Sequence, residues 1–109
     1  MLQALFGSMN RERVLLFLYC RDEGYARGIA RFFNSSLDPI QKQLERLEEG
    51  GVVYSREVGK TRLYALSPKY PFLEELKALL EKALSFYPQE PRDELTMNRR
   101  RPRRRGKPL

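Results

Sequence analysis

Three side chains at the start of one helical segment have the chemistry to read the edge of a base pair. In the run Asn34 to Lys42, Gln41 can pair with adenine N6 and N7, Lys42 can donate to guanine O6 and N7, and Asp38 can accept from cytosine N4. A well-made bidentate contact of this kind discriminates between bases by about 1–3 kcal/mol. Ser35 and Ser36 can bond phosphate, helped by the N–H groups that a helix start leaves unpaired. Each has a plainer use: Ser36 as a cap, Asp38 as a partner for the helix dipole, Lys42 and Arg46 as a solvated face. Little else in the chain suits chemistry. Histidine is absent, and the one cysteine, Cys20, sits in the apolar run LLFLYC, where a small buried hydrophobe is expected. A disulfide within the chain and a four-ligand zinc site of cysteine and histidine are therefore excluded. No phosphate loop or carboxylate pair with a pocket is present, so no catalytic residue, metal or cofactor is expected, and an enzyme is the least favoured class.

The elements that must position these residues follow from periodicity. A short apolar helix is expected over about Leu2 to Gly7. A second starts near Asn10 as N-cap, runs through ERVLLFLYCRD and stops at Gly24, and its unbroken apolar surface makes it central. Tyr25 could pair briefly as a strand against the later hairpin. A third helix covers Ala26 to Phe33. After the turn Asn34-Ser35, Ser36 caps a fourth helix with Pro39 in its first turn, where a missing N–H is harmless. Ile40, Leu44 and Leu47 point it inward, and Gly50-Gly51 end it. Val52 to Val58 and Thr61 to Leu66 flank Gly59-Lys60 as a hairpin. A helix with a polar N-terminal half running straight into a hairpin is the recognition helix and wing of a winged helix-turn-helix, a mainly α fold with a β-hairpin wing. In such a fold the wing adds Arg56, Lys60, Thr61 and Arg62 to the nucleic-acid face, and Arg11, Arg13, Arg27 and Arg31 are further backbone candidates.

A final helix, about Phe72 to Tyr87, has two apolar stripes and so more apolar surface than one core needs. A second copy of the chain is the expected partner, with Leu2, Leu5, Phe6, Phe72, Leu76, Leu79, Leu80, Ala83 and Phe86 at the dimer interface. Residues 1–87 form the expected domain. Residues 88–109 lose periodicity and are expected to be a disordered basic tail. Seven of the 21 basic side chains lie in the last eleven residues and no acid does, so residues 1–98 hold 14 basic against 14 acidic groups. The surplus of charge thus belongs to the tail and not to the domain. No secretory leader and no apolar run near the roughly 20 residues of a membrane span is seen, so a cytoplasmic protein is expected.

Three segments resemble the ArsR-like winged helix-turn-helix regulators. LFGSMNRERVLLFL is similar to that family's opening. IARFFNSSLDPIQKQLERLEEGGVV is similar to its helix-turn-helix, ending in Leu44, Leu47, Glu48, Gly51, Val52 and Val53. REVGKTRLYALS is similar to its wing, with Tyr64 as the usual aromatic. The resemblance spans about Leu2 to Leu84 and implies a homodimer that binds double-stranded DNA and regulates transcription. Metal-sensing members use cysteine and histidine clusters, which this chain lacks. YARGIARFFNSSLDPIQKQLERLEEGGVV is also similar to the winged-helix module that adjoins some nucleotidyltransferase domains. That catalytic domain needs a Gly-Ser followed by paired aspartates, which Gly7-Ser8 lacks. The competing expectations are an RNA- or ribosome-associated factor that uses the arginine-rich tail, and a protein-interaction module.

Overall fold

The computed structural model describes residues 2–96. The expectation for the arginine-rich run falls on residues outside that range. Eight elements run in the order α1 (Gln3–Phe6), α2 (Met9–Arg21), β1 (Gly24–Tyr25), α3 (Ala26–Phe32), α4 (Leu37–Glu49), β2 (Val53–Val58), β3 (Thr61–Leu66) and α5 (Leu73–Ser85). Residues 89–96 are also helical, and we call this segment α6. The strands form one antiparallel sheet in the order β1-β3-β2. The architecture is a winged helix: mainly helical, with a three-stranded sheet whose β2–β3 hairpin is the wing.

The centre is α2. Val14, Leu15, Leu16, Phe17 and Leu18 are all buried, and five consecutive residues cover every side of a helix. Its neighbours must therefore close around it. Ile29 from α3, Ile40 and Leu44 from α4 and Leu80 from α5 are each 0% exposed in the same cluster. Truncating one such leucine or isoleucine to alanine costs about 2–5 kcal/mol, so the core alone fixes these helices firmly. Cys20 is fully buried among them, as its apolar setting suggests.

The ends of α2 differ from the sequence reading. Its N-cap is Ser8, whose hydroxyl accepts from the Arg11 N–H at 3.2 Å, two residues before Asn10. It stops at Arg21, because Asp22 turns to a φ of 74° while its N–H still bonds Leu18 O. Gly24 does not end the helix. It serves β1, where a Cβ would come within 2.7 Å of the Phe17 ring, so only glycine lets this strand reach β3. The wing turn has the expected two residues, with Val58 opposite Thr61. Gly59 takes φ 64°, the sign a type II′ turn requires at its first central position.

Beyond α5 the structure corrects the expected boundary. Residues 89–96 are helical rather than structureless, and Leu95 is 1% exposed within the main core. Lone apolar residues in a polar segment carry no periodicity, which is why Leu95 gave no signal. The turn that leads into this segment is held by a buried carboxylate. Glu12, 2% exposed, accepts from the Leu2 N–H at 2.9 Å and from the Tyr87 hydroxyl at 2.7 Å. One side chain on α2 therefore ties the start of the described chain to the turn that follows α5. Burial first, then the bond to Glu12 and its charge, raise the Tyr87 hydroxyl above its ordinary value of 10.0. The neutral phenol is the form the fold holds, so this contribution is complete below the ordinary value and is lost only as pH climbs past it.

Replacing Tyr87 with Phe removes one donor from a buried carboxylate. We expect a loss of about 1–3 kcal/mol in chemical denaturation at neutral pH, against a change within error if the bond is idle.

Candidate nucleic-acid interface

The N-terminal half of α4 and the tip of the wing meet across a cleft. It encloses about 220 Å³ and is lined by Tyr25, Ala26, Arg27, Leu37, Gln41, Lys60, Thr61, Arg62 and Tyr64. Local rules build each wall. Ile40, Leu44 and Leu47 bury the inner stripe of α4, which leaves Asp38, Gln41, Lys42, Glu45, Arg46 and Glu49 exposed. On the hairpin, residues alternate between faces, so Ser55, Glu57, Arg62 and Tyr64 share the side towards α4.

The cleft gathers some expected residues and not others. Gln41, Lys60, Thr61 and Arg62 line it together. Arg62 Nε donates to Ser55 Oγ at 3.0 Å, and Ser55 Oγ donates to Glu48 at 2.7 Å. This relay fixes Arg62 along the strand and joins the wing to α4. The Tyr64 hydroxyl beside it is raised by burial, then by the charges of Glu48 and Glu45, with Arg62 opposing. Thr61 spends its hydroxyl on Val58 O at 3.0 Å, closing the wing turn. Ser36 stands at the N-cap position of α4 but makes no capping bond through its side chain, and Ser35 Oγ donates to Ser36 O at 3.1 Å. Both serines lie at the helix start, where anions are favoured.

Lys42 and Asp38 pair at 3.3 Å on the open face of α4, with side chains 63% and 78% exposed. A pair so exposed is worth only a few tenths of a kcal/mol, so either partner can exchange it for a better one. Arg46 is exposed one turn further on. Arg56 departs from expectation. It lies on the opposite face of the hairpin from Arg62 and pairs with Glu23 at 3.4 Å. The alternation within β2 decides this, and a count of basic residues near a turn does not reveal it.

The backbone candidates also divide. Arg11 is structural: it donates to Phe6 O at 3.0 Å and to Gln43 Oε1 at 2.9 Å. Arg13 lies over the Phe33 ring at 5.5 Å and bonds Asn10. Arg27 lines the cleft and Arg31, one turn along α3, is exposed. Tyr25 and Arg27 enter the cleft because β1 pairs with β3 and sets the start of α3 beside the wing. The signal for this was the two-residue strand, visible in sequence only as an isolated Tyr25.

The expected dimer surface is split as well. Leu80 and Ala83 are buried within this chain and cannot face a partner. Leu2, Phe6 and Leu76 pack partly on the core, while Leu5, Phe72 and Phe86 remain 67%, 61% and 66% exposed. Leu79 is intermediate.

A fold of this kind is shared with known winged-helix proteins. No protein-family model matches the chain, and no curated protein does. Solved structures do match. A double mutant of ZitR from Lactococcus lactis is 17% identical, covering 84% of this chain and 69% of that one, with a TM-score of 0.53. The same mutant in its apo form is 19% identical over 89% and 82%, with a TM-score of 0.55. At such identities the likeness establishes the fold.

The two kinds of arginine separate by stability. Arg11→Ala should cost about 1–2 kcal/mol in urea denaturation, while Arg27→Ala should stay within about 0.5 kcal/mol. Equal losses would show that Arg27 also serves the fold.

Proposed function

We propose that this chain is a sequence-specific, double-stranded DNA-binding transcriptional regulator of the ArsR-like kind that acts as a homodimer. The observation that carries the reading is the cleft, in which the base-reading Gln41 faces Lys60 and Arg62 of the wing and Arg27 of α3. In a helix-turn-helix the start of the second helix enters the major groove and the first helix braces on the backbone. Here α4 enters by its N-terminus. Gln41, Lys42 and Asp38 meet base edges, Ser35 and Ser36 meet phosphate, and Glu45 and Glu49 lift away with the second half of the helix. Lys60 and Arg62 follow the phosphates on the wing side, with Thr61 beside them. Arg46 follows Lys42 towards the backbone. Arg56, turned to Glu23, acts on duplex only by leaving that pair. The relation to winged-helix regulators supports this reading at a coarse level.

The second copy would cover Leu5, Phe72, Leu79 and Phe86. It would set two α4 helices about 34–36 Å apart, one turn of duplex. No helix among the described residues is long and apolar enough to cross a membrane.

Two measurements test this. On mixed-sequence duplex, Lys60→Ala with Arg62→Ala should lower the slope of log affinity against log salt by about 1.8, two cations at 0.9 each. An unchanged slope would place the wing away from phosphate. Light scattering at tens of micromolar should return about twice the chain mass, since assembly follows concentration. The mass of one chain would contradict the dimer.

A further inference from the structure

We propose that Ser55 and Glu48 are positioning residues for Arg62: a hydroxyl on β2 and a carboxylate on α4 hold its guanidinium so that the outer edge is presented to a backbone phosphate of duplex DNA beside the cleft. This rests on the duplex-binding reading above.

The direction of each bond follows from what the groups can do. A carboxylate only accepts, so the Ser55 hydroxyl gives its single proton to Glu48 Oε2 at 2.7 Å. Its oxygen then has lone pairs alone to offer, and Arg62 Nε donates to them at 3.0 Å. Nε is the inner donor of a guanidinium. With Nε engaged, the two terminal nitrogens are left as an outward fork, and a fork is the shape that grips a phosphate through two parallel bonds. Among the described residues, no other hydrogen bond holds the Arg62 side chain. Strand register makes the reach possible. Ser55 stands opposite Tyr64, so Arg62, two residues away on β3, is its diagonal neighbour on the same face. Glu48 and Ser55 are half-buried and Arg62 is exposed, so the relay is anchored at one end and open at the other.

What the relay supplies is order. A long side chain that is free in solvent loses rotamer freedom when it grips a partner, and that loss weakens binding. Arg62 has given up that freedom in folding. Lys60 and Arg27 line the same cleft, but among the described residues no hydrogen bond or ion pair holds either one. They bring charge without a fixed geometry. Glu48 lies on α4 about two turns after Gln41, beside the buried Leu47. The relay therefore carries the position of the reading helix to the wing, and the grip of Arg62 stays in register with the base edges that Gln41 meets. The sign of Glu48 separates this role from simple charge. A carboxylate near a polyanion repels it, so on charge alone Glu48 opposes binding.

The test uses the full chain and a mixed-sequence duplex at moderate salt. Ser55→Ala changes no charge and should weaken binding about three- to tenfold, because Arg62 must then be ordered on the duplex. Ser55→Thr returns the hydroxyl on a residue suited to a strand and should restore the affinity. Glu48→Ala should weaken binding by a similar factor although it removes a negative charge. Glu48→Gln keeps an oxygen that accepts from Ser55 and should bind at least as tightly as the unaltered chain. In an Arg62→Ala background, Ser55→Ala should change affinity by less than about twofold. Unaltered affinity in Ser55→Ala would overturn the proposal. So would tighter binding by Glu48→Ala, which marks a carboxylate that acts through charge alone. An equal loss from Ser55→Ala with and without Arg62 would also overturn it, since the hydroxyl would then serve only the fold of the wing. Absence of duplex binding by the unaltered chain would overturn the regulator reading together with it.

Discussion

The structure depends on covering α2 from all sides. A helix with one apolar stripe needs one neighbour, but Val14 to Leu18 bury five successive residues. The chain after it has to wrap. Helix α1 closes one end, α3 and α4 one flank, β3 another, and α5 with α6 the rest. The helix-turn-helix is therefore set on the core rather than added to it. The wing is in turn fixed by two links that cross from one element to the next: the β1–β3 pairing and the Arg62–Ser55–Glu48 relay. The cleft exists because both walls are anchored to the same buried helix.

Charge is divided unevenly between the helix-and-wing segment and the end of the sequence. Asn34 to Ser67, the helix and wing together, carry 5 basic and 5 acidic side chains. Several of these cancel locally, as Asp38 does with Lys42 and Glu23 with Arg56. On the proposed function, a neutral helix and wing have little non-specific affinity to overcome, and so favour discrimination over strength. If all seven cations after residue 98 neutralised phosphates, the salt slope would steepen by about six for each chain.

Much of the fold was legible in the sequence because its signals are repeated. Ile40, Leu44 and Leu47 recur at helical spacing, Gly59-Lys60 stands between β-branched runs, and Gly50-Gly51 ends a helix; the elements lie there within a residue or two. Single, long-range events were not legible. Leu95 is one apolar residue in a polar stretch, and Glu12 looks like any surface acid, though its partners lie 10 and 75 positions away. The candidate site was legible to the same degree: the α4 residues follow from periodicity, whereas the turning away of Arg56 and the arrival of Tyr25 and Arg27 depend on strand register. At the expected dimer surface, Leu80 and Ala83 share stripes with exposed neighbours, and periodicity alone does not say which stripe the chain itself buries.

The central claim is that α4 reads a base sequence, and selection of the full chain on random duplex DNA at moderate salt tests it most directly. The account predicts an enriched motif with two related half-sites about one helical turn apart, roughly 10–10.5 base pairs between centres. It also predicts that Gln41→Ala with Lys42→Ala abolishes the enrichment while the salt-dependent affinity stays. A pool that binds without any enriched sequence would contradict it.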